Sequence, residues 1–174
     1  MATWNLDNTH SNVGFKVKHM MISNVSGSVN DFTVNLESEK EDFTDAKVTF
    51  VGKMASISTQ NQQRDEHLKS ADFFDVATYP EMKFVSTSIT KKGDTDYVLE
   101  GDLTIKDVTR KVVLDVEYGG TFVDPWGQSK SGFSLTGKIN REEFGLNYNA
   151  VLESGGVLIG KDVKIQAEVQ FVKA

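Results

Sequence analysis

The chain has 174 residues, a formal net charge of −6 and no cysteine. That length supports one sizeable core and is too short for two ordinary domains, so residues 1–174 are expected to fold as a single domain. The acidic balance, with no basic block, argues against a nucleic-acid partner, and the missing cysteines exclude disulfides, thiolate metal sites and thiol nucleophiles. The N-terminus, Met1-Ala2-Thr3-Trp4-Asn5-Leu6-Asp7, carries neither a basic segment nor an apolar run of secretory type, so a cytoplasmic location is expected for the sequence as it stands, and a periplasmic or secreted one if a leader was removed. No apolar run approaches the ~18 residues of a membrane-spanning helix.

In chain order, the first clear element is Val13, Phe15, Val17 and His19, alternating with polar residues as one half-buried strand does. Between Val29 and Phe32 the apolar parity slips by one residue, the signature of a bulge or sharp bend. Ala46, Val48 and Phe50 continue the strand pattern. One helix is expected from Gln60 to about Ser70, with Thr59 three residues before Gln62 as a capping box and Arg64 and Leu68 on one face, a candidate lid or plug. A turn-rich stretch covers Asp75 to Pro80, and Met82 and Phe84 open the next strand.

Tyr97, Leu99, Gly101, Leu103 and Ile105 alternate with polar neighbours, as do Val112, Leu114, Val116 and Tyr118, and the two runs predict a hairpin through Asp107-Val108-Thr109. Asp124-Pro125-Trp126-Gly127 predicts a tight connection to the run Phe133, Leu135, Gly137 and Ile139. Leu152-Glu153-Ser154-Gly155-Gly156 lacks the lysine and hydroxyl of a phosphate cradle and is expected to be a flexible loop. The strongest alternation comes last, with Val163, Ile165, Ala167, Val169 and Phe171 against Asp162, Lys164, Gln166, Glu168 and Gln170. Many amphipathic antiparallel strands and one short helix predict an all-β fold, a sandwich or a closed barrel. A barrel of about eight strands is just wide enough inside for packed side chains or one ligand.

Motifs for chemistry are sparse. His10, His19 and His67 form no metal-ligand spacing, so no metal or cofactor is expected. His19 sits on the apolar parity of its strand, where a hydrogen-bonded core or cavity-wall histidine is the simpler interpretation. No G-x-S-x-G elbow marks a nucleophile. The densest polar cluster, Arg64-Asp65-Glu66-His67-Leu68-Lys69, suits either a solvated helix face with an Arg64 ion pair or a pair of head-group contacts, Arg64 and His67.

Several separated motifs then stand together in order: His10-Ser11, Phe15 to Met20, Arg64 to Ser70 with Asp72-Phe73-Phe74-Asp75, Tyr79-Pro80, and Gly101 to Ile105. With Asp124-Pro125-Trp126-Gly127, Asn140-Arg141 and Phe144-Gly145-Leu146, they resemble the YceI-like family from end to end. The resemblance implies an extended antiparallel barrel of lipocalin type, an apolar pore that holds a polyisoprenoid or similar amphiphilic lipid, no catalysis and often a homodimer. Many relatives carry a signal peptide, from which this sequence departs. Asp107 stands where relatives commonly have glycine, and aspartate tolerates turn conformations.

On that implied architecture the pocket candidates are Phe15, Val17, His19, Val48, Phe50, Phe84, Leu103, Ile105, Leu114, Val116, Phe133, Leu135, Val169 and Phe171, with Arg64 and His67 for the head group. Two other classes compete. One is an enzyme acting on an isoprenoid or ester, with His67, Asp65 or His10 as base at the pocket mouth. The other is a barrel with a filled core that works through its outer surface.

Overall fold

The computed structural model describes residues 2–150, 152 and 158–174. Its strands are β1 (Ala2–Leu6), β2 (Asn12–His19), β3 (Ser23–Val29), β4 (Phe32–Ser38), β5 (Lys47–Lys53) and β6 (Ile57–Ser58), then β7 (Glu81–Lys91), β8 (Asp96–Ile105), β9 (Val108–Val123), β10 (Ser129–Asn140) and β11 (Ile159–Lys173). The helix α1 spans Gln62–Lys69. The loop expected at 152–156 lies outside the described residues except for Leu152.

All pairings are antiparallel, and they run β1-β4-β5-β7-β8-β9-β10-β11 before β1 returns to β11 and closes an eight-stranded ring. The remaining segments lengthen three of these staves. β2 continues β1 along β11, β3 continues β4 along β2, and β6 continues β5 along β3. The fold is therefore a closed up-and-down barrel, taller on one side.

The three broken staves bend at specific side chains. Asp7 accepts the Thr9 backbone N–H at the first break. At the second, the slip foreseen between Val29 and Phe32 is a full interruption at Asn30-Asp31, held to the third break by Ser56 Oγ, which accepts from Asn30 N and Asp31 N at 3.1 and 2.9 Å. Breaks at one level on adjacent staves let the wall bend without leaving polar backbone groups unpaired.

Two local expectations are corrected. Helix α1 is capped by Asn61, whose side chain accepts from Arg64 N at 3.1 Å; Thr59 instead donates its backbone N–H and hydroxyl to Asp65 Oδ1. Asparagine in extended backbone one residue before the helix satisfies a free N–H that the more distant threonine does not reach. The β8–β9 hairpin turns at Lys106-Asp107, with Ile105 paired to Val108 and Lys106 at φ 58°. Only two residues therefore separate the paired Ile105 and Val108, and Val108 and Thr109 belong to the strand.

Small residues admit large rings to the wall. At Gly101 a Cβ would lie 2.5 Å from a ring carbon of Phe84 and 2.5 Å from the Val85 carbonyl oxygen. The ring can swing, but the carbonyl belongs to the β7–β8 ladder. Gly101→Ala is therefore expected to cost about 1–3 kcal/mol, read as a lower denaturation midpoint at constant m; an unchanged midpoint would contradict it.

Candidate functional site

Side chains of a strand alternate between faces, so each inward-facing set meets the others in the barrel. They do not fill it. A cavity of about 660 Å³ remains, within the range of ligand pockets.

The predicted pocket residues all lie on its wall. β2 supplies Phe15, Val17 and His19, and β5 supplies Val48 and Phe50. Phe84, Leu103 and Ile105 line it from β7 and β8, and Leu114 and Val116 from β9. Phe133 and Leu135 of β10 and Val169 and Phe171 of β11 complete the set. Arg64 and His67 reach the same cavity from α1, which lies against its mouth. Of the three bases considered for an enzyme, only His67 reaches the cavity: His10 and Asp65 do not line it.

The far end is sealed by aromatic rings. Phe43, from the loop between β4 and β5, is 1% exposed and packs on Trp4, Tyr118 and Phe133 at centroid distances of 5.3, 5.5 and 5.1 Å. Its φ is 61°, a left-handed conformation that costs a bulky residue on the order of 1–3 kcal/mol and persists only where its surroundings enforce it. Here they do. Asp45 accepts from Ser38 Oγ at 2.7 Å and from the Glu39 and Lys40 backbone N–H groups at 2.9 and 3.2 Å, while Tyr97 donates its hydroxyl to Asp42 O at 2.5 Å.

The mouth is polar and cationic. Lys18, Arg64 and Arg141 line the cavity, and among the described residues no aspartate or glutamate does. Arg64 makes no ion pair among the described residues, contrary to one expectation for its cluster; its Nε and Nη2 donate to Thr59 Oγ1 and Thr59 O at 2.8 and 2.9 Å. His67 Nε2 meets Asp72 Oδ2 at 2.9 Å, and its ring stands edge-on to Phe73 and Tyr148. Among the described residues no three carboxylates or imidazoles gather into a metal-binding group.

Sequence reasoning missed the role of Arg141. It is 3% exposed, and its guanidinium donates to the carbonyls of Gly160, Leu146, Tyr148 and Ile159 at 2.8, 2.5, 3.0 and 3.3 Å. Burial pushes this guanidinium below its usual pKa. Its partners are backbone oxygens, two in the irregular stretch that follows it and two at the start of β11, which no side-chain spacing discloses. Phe43 was missed as well, because it lies in an otherwise polar loop without periodicity.

The geometry defines a closed eight-stranded barrel that holds a small-molecule-sized apolar chamber, open toward a cationic mouth. The chain matches the YceI-like domain family over residues 4–171, and it belongs to that family. It is 41% identical to a UPF0312 protein of Staphylococcus aureus strain USA300 over 98% of both chains, and 42% identical to one of Staphylococcus epidermidis over the same share. Among solved structures, a Campylobacter jejuni YCEI protein superposes with TM-score 0.76 at 34% identity, over 88% of this chain and 87% of that one. Burkholderia cenocepacia BcnA superposes with TM-score 0.83 at 20% identity, over 95% and 99%, and a polyisoprenoid binding domain from Saccharophagus degradans with TM-score 0.69 at 13%, over 98% of each. These last two show the shared fold.

Two expected outcomes follow from the ends of the chamber. Replacing Arg141 by methionine leaves four carbonyls without their donor, each group worth about 1–3 kcal/mol when buried and unpaired. Hydrogen exchange should rise across residues 141–150 while the β8–β9 ladder stays protected; uniform protection would refute the role. The Asp45 carboxyl, with the Ser38 hydroxyl as the main cause, is held down from 3.8 to about 2. A depressed carboxylate stabilises the fold above its unfolded value and loses that contribution as pH falls through the folded one. The melting temperature should therefore drop between pH 3.8 and about 2 more steeply in the parent than in Asp45→Asn, and parallel curves would count against it.

Proposed function

We propose that this chain binds a long amphiphilic lipid, a polyisoprenoid or a similar hydrocarbon chain, within the barrel and carries or sequesters it without altering it. The observation that carries the proposal is the polarity of the chamber: apolar walls, an aromatic floor, and Lys18, Arg64 and Arg141 bordering the other end with no described carboxylate. The name of the Saccharophagus degradans neighbour, a polyisoprenoid binding domain, supports the choice of chain.

Burying one methylene contributes ~0.8 kcal/mol, whereas association costs ~4–15 kcal/mol in lost freedom. A long chain therefore binds and a single isoprene unit does not. Beside a low-dielectric chamber, a guanidinium such as that of Arg64, paired with no described carboxylate, favours a head group with negative charge. Arg64, with Nη1 not engaged by any described residue, and His67 stand where that head group would sit. A phosphate- or carboxylate-headed lipid is preferred over a plain hydrocarbon of equal length.

Native mass spectrometry of the protein drawn from its own cells tests the proposal. Discrete lipid adducts are expected, and Leu103→Trp, which obstructs the chamber, should lower their abundance while the barrel still folds. Arg64→Gln should weaken anionic lipids at least several-fold more than neutral ones. If Leu103→Trp keeps its lipid and merely melts earlier, the chain does not lie inside the barrel.

A further inference from the structure

We infer that Phe43 is a chain-length stop: its ring sets the longest hydrocarbon the barrel accepts, and the loop that carries it is the specificity element of the chamber. The inference rests on the lipid reading above and adds which chains are selected.

The loop between β4 and β5 has little reason of its own to bury an aromatic ring. Its residues are Glu39, Lys40, Glu41, Asp42, Phe43, Thr44, Asp45 and Ala46, a polar composition suited to a solvated turn. Instead, a set of local bonds drives Phe43 inward. Asp45 ties down Ser38, Glu39 and Lys40, and Asp42 Oδ1 accepts from Thr44 N and Thr44 Oγ1 at 3.1 and 2.7 Å. Phe43 then holds a left-handed φ of 61° and belongs at once to the buried core and to the cavity wall. A ring held by strain at the blind end of a chamber meets whatever reaches that end. Below it the barrel is already occupied, since Tyr118 bonds Thr121, Thr121 bonds Ser131 Oγ at 2.6 Å, and Ser131 is buried.

Two measures of the chamber agree on its capacity. A volume of about 660 Å³ is room for roughly twenty groups at ~30 Å³ each, the share of a water molecule. Along β11, from Val169 opposite Phe133 to Ile159 at the mouth, a rise of ~3.3 Å per residue and a tilt near 40° give an axial length of ~25 Å. An extended chain advances ~1.2 Å per bond, so roughly twenty bonds span it. Chains beyond that length must leave carbons in water at the mouth.

The test is a ladder of isoprenoid alcohols, from geraniol upward, titrated against the whole protein. In the parent, affinity should climb by about fourfold per added methylene, the ~0.8 kcal/mol transfer value converted at ~1.4 kcal/mol per tenfold, and then stop climbing at a definite unit count. Phe43→Gly suits the positive φ and removes the ring, so its break should move to longer chains by at least one unit. Phe43→Trp keeps the end filled and should move the break to shorter chains. Leu114→Ala, which widens the chamber at mid-height, should lower affinity and leave the break in place. A break at the same unit count in both folded Phe43 variants overturns the stop. If the parent binds no alcohol of any length, the lipid reading itself fails, which is a different result.

Discussion

The structure depends on one seam. β11 is long enough, over Ile159–Lys173, to pair along one edge with β10 from Lys130 to Asn140 and along the other with both β2 and β1. Those last pairings join the ends of the chain and remove the free sheet edges that an open meander of this length would expose. Closure also fixes which side chains face inward, because a slip of one residue at the seam would turn every inward side chain of β11 outward. Phe171, buried in the floor cluster, and Ile165 and Val163, packed at mid-height, hold that register from within.

Once the ring is closed, its two ends diverge in chemistry. At the floor, Trp4, Phe43, Tyr118, Phe133 and Phe171 bring their rings within contact of one another, and aromatic pairs of this kind stabilise beyond their buried area. At the mouth, irregular backbone replaces ladder, so polar groups that cannot pair with a neighbouring strand need other partners. Arg141 supplies four of those partnerships and Thr59 gathers Arg64 and Asp65 around one hydroxyl. Arg64 and Arg141, two of the cations that border the mouth, thus also hold its backbone. Structural and binding roles are therefore hard to separate by removing a whole side chain.

Period-two alternation made the barrel wall legible in the sequence. The run Val163 to Phe171 became β11, and Leu103, Ile105, Leu114 and Val116 face the chamber as their parity required. Parity tells which face a residue is on and says nothing about whether that face is packed or hollow, so the cavity itself was not readable from alternation. Turn details were less legible, because Asn61 rather than Thr59 caps α1 and Lys106-Asp107 makes the hairpin turn. Phe43 and Arg141 gave no periodic signal. Their roles come from contacts with residues distant in sequence, Tyr118 and Phe133 for one, Ile159 and Gly160 for the other.

A hollow interior has an energetic consequence that joins fold to function. Wall residues bordering a chamber of about 660 Å³ meet no protein atoms on that side and forgo the dispersion contacts that a close-packed core would give them. The ladder, the seam and the aromatic floor must hold the barrel without those contacts. A hydrocarbon in the chamber would restore them, binding the folded barrel and not the unfolded chain, and its affinity would add to stability in proportion to the logarithm of its concentration over its dissociation constant. On the lipid reading, occupancy and folding are therefore linked. On the same reading, Phe43 closes one end of the chamber and Arg141 pins backbone at the other, while the wall between them gains its missing contacts from the chain it binds.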